Sequence, residues 1–205
     1  VGINLNPGKE CNFDCIYCQV DRGVPGRTRR VDLKVLESEL DAILAAARDG
    51  SLYQSPPFDA LAPDQRAVRD IAFSGDGEPT TFRGFRKAVE IAASARRRHG
   101  LDGAKLVLIT NAAHLAKPQV REALALLDAN NGEIWAKLDG GTAGSFQRVN
   151  RSNVTLEQVL DNILDAARVR PVVIQSLWMR LDGEPPSDAE VVAFCARLEG
   201  LRASG

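Results

Sequence analysis

Three cysteines fall within eight residues, in the run Pro7-Gly8-Lys9-Glu10-Cys11-Asn12-Phe13-Asp14-Cys15-Ile16-Tyr17-Cys18, and a fourth, Cys195, stands far away. That is ligand spacing; a disulfide framework would spread its cysteines along the chain. Thiolates separated by three and then two residues can wrap one metal centre. A [4Fe-4S] cube held by only three protein thiolates keeps one iron open to a small chelating molecule. Structural zinc sites and closed clusters take four ligands, because full coordination makes them inert. Two readings follow: an open iron-sulfur centre on Cys11, Cys15 and Cys18, or zinc completed by His114 or by a ligand from another chain. The only two histidines, His99 and His114, sit in no ligand motif and read as surface or local hydrogen-bonding residues. Cys195, between Val191 and Leu198 and beside Phe194, is expected as a buried, inert thiol on the apolar face of the last helix.

A second constellation is Ser74-Gly75-Asp76-Gly77-Glu78-Pro79-Thr80. Gly75 and Gly77 allow backbone to approach a ligand closely, and the Glu78 carboxylate can accept from an ammonium group. Further polar residues end apolar, strand-like runs: Thr110 and Asn111, Lys137 and Asp139, Gln175 and Ser176. Asn111 is either a contact to a bound molecule or a turn cap. Lys137 and Asp139 stand at alternate positions and share a face, as a buried ion pair or as ligand contacts. Gln175 needs a partner if buried. The Asp182-Gly183-Glu184-Pro185-Pro186 stretch reads as a plain strand-to-helix turn. The arginines Arg22, Arg27, Arg29 and Arg30, and the run Arg96-Arg97-Arg98, read as solvated surface.

The elements that must position these groups are read from periodicity. Strand-like stretches are Val1 to Leu5, Asp70 to Ser74, Lys105 to Thr110, Glu133 to Leu138 and Val172 to Leu177. A first helix places Leu33, Leu36, Leu40, Ile43 and Leu44 on one stripe, with Asp32 as its cap and Gly50 just past its end. A second runs from about Thr81 to Arg98, stopping at Gly100. A third starts at Pro118 and runs through Leu127. Thr155 with Gln158, and Ser187 with Glu190, have capping-box spacing and mark two more starts. Residues 51–69, with three prolines, interrupt the rhythm as a loop insertion. Five βα units in alternation demand a mainly parallel sheet, either Rossmann-like or a partial barrel. In either, ligands belong at the carboxyl ends of the strands, where the cysteine run and the Gly75–Glu78 stretch both fall.

The 205 residues are about one domain, and 44% hydrophobic with 26% charged residues is a globular balance. The formal net charge of −1 gives no global attraction to nucleic acid. No run of about 18 apolar residues and no leader-like start is present, so a cytoplasmic chain without a membrane segment is expected. The sequence opens on Val1, within a strand-like run, which fits a chain truncated at one or both ends.

The sequence resembles the radical S-adenosylmethionine (SAM) superfamily. Cys11, Cys15 and Cys18 match its C-x3-C-x2-C hallmark, with Tyr17 as the aromatic residue before the third cysteine. Its Gly-Gly-Glu-like stretch corresponds to Asp76-Gly77-Glu78, with Asp76 in place of the first glycine. The resemblance spans nearly the whole chain, through GINLNPGKECNFDCIYCQ, LVLITNA and EIWAKLDGGT, and looks like the branch of the wybutosine-synthesis enzymes and their bacterial relatives. It implies an α/β fold: a partial parallel (βα) barrel with five units visible and the sixth absent or beyond Gly205. Residues 1–205 would form one radical SAM core domain. It implies a [4Fe-4S] cluster on Cys11, Cys15 and Cys18, S-adenosylmethionine as cofactor, and an external one-electron donor. Tyr17 would lie near the adenine and Glu78 near the methionyl amino group. Gly75, Asp76, Gly77, Asn111, Lys137, Asp139 and Gln175 are the other cofactor-binding candidates. Reductive cleavage of S-adenosylmethionine would give a 5′-deoxyadenosyl radical that takes hydrogen from a substrate the sequence does not identify, for which the resemblance suggests a nucleoside or RNA. The alternatives are activation of a partner protein by glycyl-radical formation, a non-enzymatic electron-transfer or structural metal module, and a truncated enzyme that keeps only the cofactor motifs. A cavity lysine able to form a Schiff base favours the nucleoside reading.

Overall fold

The computed structural model describes residues 1–26, 28 and 30–205. Five strands, β1 (Gly2–Ile3), β2 (Asp70–Phe73), β3 (Lys105–Thr110), β4 (Gly132–Lys137) and β5 (Val172–Gln175), form one sheet in sequence order, with every pairing parallel. Among the described residues six helices connect or follow them: α1 (Leu33–Asp49), α2 (Phe85–Arg98), α3 (Pro118–Asp128), α4 (Ala143–Asn150), α5 (Leu156–Ala167) and α6 (Asp188–Ser204). This is a five-unit partial (βα) barrel, as expected, with each parallel return made through a helix. No helix of the described residues is long and apolar enough to cross a membrane.

Local signals set most boundaries. The Asp32 carboxylate accepts from the Lys34 N–H at 2.8 Å to start α1, and Gly50 ends it at φ 84°, in the left-handed region. The Leu40 and Leu44 stripe of α1 is buried, with Leu33, Leu36 and Ile43 packed around it. Phe73 of β2 meets Phe85 of α2 edge-on, ring centroids 5.7 Å apart, and Ile71, Leu106, Leu108, Leu124 and Leu127 complete this part of the core. Residues 51–69 carry three short 3-10 turns and no strand or α-helix.

Several expectations are corrected. β1 is two residues long, because the chain leaves the sheet at Asn4, whose side chain turns to Asp76. α2 begins at Phe85, not Thr81, since Pro79–Thr81 form a 3-10 turn capped by Glu78. The second capping box is half made. The Ser187 hydroxyl accepts from the Glu190 N–H, but the Glu190 carboxylate is drawn to Gly141 and Thr142 at the start of α4. Cys195 is exposed. α6 turns Glu190 and Phe194 inward with Leu198 and Leu201 beneath them, and this rotation leaves Val191, Val192 and Cys195 outside. Arg96 is buried rather than solvated. Its Nη1 donates to the carbonyls of Asp102 at 2.7 Å and Ala104 at 3.2 Å, closing the turn into β3. Of the basic group after the cysteines, Arg27 and Arg29 lie outside the described residues.

Candidate active site

The cysteine run leaves the carboxyl end of β1 and is tied down on two sides. On one, the Glu78 N–H donates to the Glu10 carbonyl at 3.1 Å. On the other, the carboxyl end of α4 accepts from it: Asp14 N–H to the Asn150 carbonyl at 3.1 Å and Ile16 N–H to the Val149 carbonyl at 2.9 Å. Phe13 packs edge-on against Phe146 at 5.8 Å, and the Ser152 hydroxyl donates to the Asn12 carbonyl. Within the loop, Lys9 adopts φ 66° and its Nζ donates to the Asp21 and Val24 carbonyls, folding the following segment back.

Cys11, Cys15 and Cys18 line one cavity of about 160 Å³, together with Tyr17, Arg22, Gly75, Asp76, Gly77, Glu78, Thr110, Asn111 and Lys137. The Cys15 thiol donates to Asn150 Oδ1 at 3.3 Å, and Arg22 Nη1 donates to Cys18 Sγ at 3.3 Å. Burial pushes the Cys15 thiol up to about 11 and raises Cys11 as well. A metal held by these sulfurs would have to displace their protons. His114 lines a separate cavity with Thr80, Thr81 and Lys117, away from the thiols. Among the described residues no three His, Cys, Asp or Glu side chains gather around a single-ion position. The donor set on this cavity is three sulfurs without imidazole, which suits an iron-sulfur centre and leaves the His114 zinc reading without its fourth ligand.

The Gly75–Glu78 stretch is built into the wall of this cavity. A Cβ on Gly77 would stand 1.9 Å from the Glu10 carbonyl oxygen, so only glycine lets the two loops cross. Gly75 makes room for the Asn4 side chain, which also donates to Asp76 Oδ2 at 2.8 Å. The close approaches these glycines permit are thus to the chain itself. Glu78 is buried and takes four donors. Thr80 N–H, Thr80 Oγ1 at 2.5 Å and Thr110 Oγ1 at 2.7 Å reach Oε1, and the Asn111 N–H reaches Oε2 at 2.7 Å. Asn111 is both a turn former and a wall residue: its Oδ1 accepts from Ala113 N–H, and its Nδ2 donates to Asn12 Oδ1. The Asn12 Nδ2 is buried without a partner.

Across the cavity, the Tyr17 hydroxyl donates to Asp139 Oδ2, and Asp139 Oδ1 accepts from Leu177 N–H at 2.9 Å. Burial and the Asp139 carboxylate push the Tyr17 phenol far up, so it stays protonated and donating. The Lys137 ammonium stands 4.7 Å from the Tyr17 ring centroid, in cation–π contact, rather than pairing with Asp139. Asp139 does not line the thiol cavity itself. It borders a second cavity of about 230 Å³ with Arg148, Trp178, Met179, Pro185 and Glu184. Gln175, half-buried at the end of β5, lines neither. Asn150, Asn12 and the wider role of α4 escaped the sequence reading. α4 is only eight residues, about two turns, too short for an apolar repeat to stand out, and its start at Thr142 gives only a bare cap signal.

Comparison with known proteins gives the family and the fold. The family model described as the radical SAM superfamily matches residues 5–195. A UPF0026 protein of Synechocystis sp. is 30% identical over 156 residues, 75% of this chain and 48% of that protein, so the chain spans about half of that relative's length. A structure of TYW1 with a lysine-pyruvate adduct bound shares the fold at TM-score 0.58 and 17% identity, over 93% of this chain and 58% of that one. SuiB of Streptococcus suis bound to its precursor peptide SuiA shares it at TM-score 0.65 and 14% identity, over 98% and 37%.

Proposed function

Because the chain belongs to the radical SAM superfamily and is an enzyme of that class, we propose that it reductively cleaves S-adenosylmethionine at a [4Fe-4S] cluster held by Cys11, Cys15 and Cys18. The observation that carries this reading is a single cavity lined by three thiols on one side and by the Gly75–Glu78 stretch, Thr110 and Asn111 on the other. When bound, the cluster and S-adenosylmethionine supply an electron and a 5′-deoxyadenosyl radical for hydrogen abstraction. The chain's own residues bind and orient. Glu78 fixes the β2 and β3 loops relative to each other through its four donors. Tyr17, held by Asp139, presents its ring to the cavity beneath the Lys137 ammonium. Phe13 and Ile109 close its apolar side and keep water from the reacting centre. The electron comes from an external one-electron donor.

For the substrate we propose a nucleoside, free or within RNA. Its support is Lys137, a lysine lining the cavity, together with the lysine-pyruvate adduct carried by the TYW1 structure of the same fold. In such a step the amine and a 2-oxo acid form an imine and release water. Borohydride should then fix pyruvate on the peptide that contains Lys137; an unlabelled Lys137 would favour glycyl-radical activation of a partner protein.

The cofactor reading is tested by anaerobic iron-sulfur reconstitution and low-temperature EPR of the reduced protein with and without S-adenosylmethionine, alongside assay of 5′-deoxyadenosine. We expect a cluster signal perturbed by S-adenosylmethionine, with 5′-deoxyadenosine released, and loss of both in Cys15→Ala. Zinc in place of iron, or a signal indifferent to S-adenosylmethionine, sinks the reading.

A further inference from the structure

α4 takes no part in the chemistry described above, yet it grips the loop that carries the thiols. Its Asn150 and Val149 carbonyls accept from the N–H groups of Asp14 and Ile16, the two neighbours of Cys15. Cys15 is thereby fixed in front of the Asn150 side chain, which is 1% exposed and reaches the sulfur at 3.3 Å. The protonated thiol donates to Oδ1. A thiolate ligand has no proton to give and carries negative charge, so half a turn of the same amide brings Nδ2 to the sulfur as a donor. Cys18 has a donor of a different kind. Arg22, exposed and four residues on, places Nη1 at 3.3 Å from its sulfur.

We infer that Asn150 and Arg22 are positioning residues that set the reduction potential of the iron-sulfur centre through hydrogen bonds to the sulfurs of Cys15 and Cys18. This rests on the reading that the three cysteines hold that centre. Reduction adds one electron, and the extra negative charge is shared by the ligand sulfurs. A donor on a sulfur therefore favours the reduced form and raises the potential, as does a nearby cation. Two sulfurs have side-chain partners of this kind, one buried and neutral, the other exposed and charged. The first is insulated from salt, while the second is screened by it.

The test is an EPR-monitored redox titration of the reconstituted full chain without S-adenosylmethionine, with iron content measured on each sample. Arg22→Gln and Asn150→Ala are expected to load iron like the wild type and to shift the reduction equilibrium several-fold toward the oxidised form. Asn150→Asp, of the same shape but unable to donate, is expected to shift it further. Arg22→Lys should restore part of the Arg22→Gln loss, and added salt should shrink the Arg22 effect and spare that of Asn150. A side chain that only packs would move none of these. Should the buried Asn150 variants fail to fold by circular dichroism, the exposed Arg22 pair carries the same test. The inference is overturned if iron-loaded variants titrate with the wild type. Wild-type protein that takes up no cluster is a different result and removes the cofactor reading beneath it.

Discussion

The carboxyl edge of the sheet is built in two ways. Over β1, β2 and β3 it is locked: the cysteine loop, the Gly75–Glu78 stretch and Asn111 hold each other through backbone and buried side-chain bonds, centred on a carboxylate 3% exposed. Over β4 and β5 it is open. Leu177 and Trp178 stay 44% and 40% exposed, and the loop beyond them is a turn closed by a bridge between Leu181 and Glu184, with Asp182 and Gly183 in the left-handed region. Across the thiol cavity Tyr17 links the halves, with Asp139 below it and Lys137 above. A radical generator needs its cofactor geometry fixed before the electron arrives, because a misplaced radical attacks the protein. A substrate region can order itself as its ligand enters. Under the proposed function the locked half would serve the first task and the open half the second.

The locked half is where a substitution should hurt most. Glu78→Ala strands the N–H groups of Thr80 and Asn111 and two hydroxyls in a buried site, at about 1–3 kcal/mol for the first unsatisfied donor and more for the set. We expect a loss of roughly 3 kcal/mol or more in chemical denaturation, with iron uptake falling alongside, because the carboxylate holds in place the turn whose residue-78 N–H meets the cysteine loop. A Glu78→Ala protein of unchanged stability would mean that the two halves are equally loose.

The open half should behave oppositely. Trp178 meets Phe194 edge-on at 5.0 Å but is two-fifths exposed, so Trp178→Ala should cost about 1–2 kcal/mol. Formation of 5′-deoxyadenosine in the absence of substrate should stay within about twofold of wild type, since no cofactor-cavity residue depends on the indole. Loss of that uncoupled cleavage would erase the division drawn between the halves.

The same division separates what could be read in the sequence from what could not. The sheet, its order and five of the six helices follow from periodicity and caps, because each apolar stripe faces one sheet and each cap answers to its own helix. The thiols, Gly77 and Glu78 were legible for a similar reason: close backbone approach and metal ligation admit few residue types. Asn150 was not. Its role comes from a contact between residues 135 apart in sequence, and an asparagine near a helix end carries no signal of what it will touch. Asp139 shows the opposite limit. Alternation along a strand gives a side chain's face, while two residues past the strand end the chain has turned, and Asp139 supports Tyr17 from below instead of meeting the cavity. Cys195 was misplaced because α6 has apolar residues all round, so its sequence does not choose a buried face; Glu190 and Phe194, by engaging Gly141 and the α4 start, do.

Glu190 also supplies the mildest way to sharpen the comparison, because it belongs to the open half yet is nearly as buried as Glu78. Burial alone would raise its carboxyl, but the Thr142 hydroxyl at 2.7 Å and the Gly141 N–H at 2.5 Å outweigh that and hold it below the usual glutamate range. A carboxyl lowered on folding contributes stability above its unfolded value of about 4.3, and loses that contribution as pH falls through the folded value. Glu190→Gln keeps an oxygen for the N–H and removes the titration. It should cost less than about 1 kcal/mol at neutral pH, and its deficit relative to wild type should close as pH drops below about 4. Urea titrations of both proteins across that range give the answer. A deficit that persists in acid would show that Glu190 acts by packing, and that the α4 start is anchored as rigidly as the thiol loop it leads into.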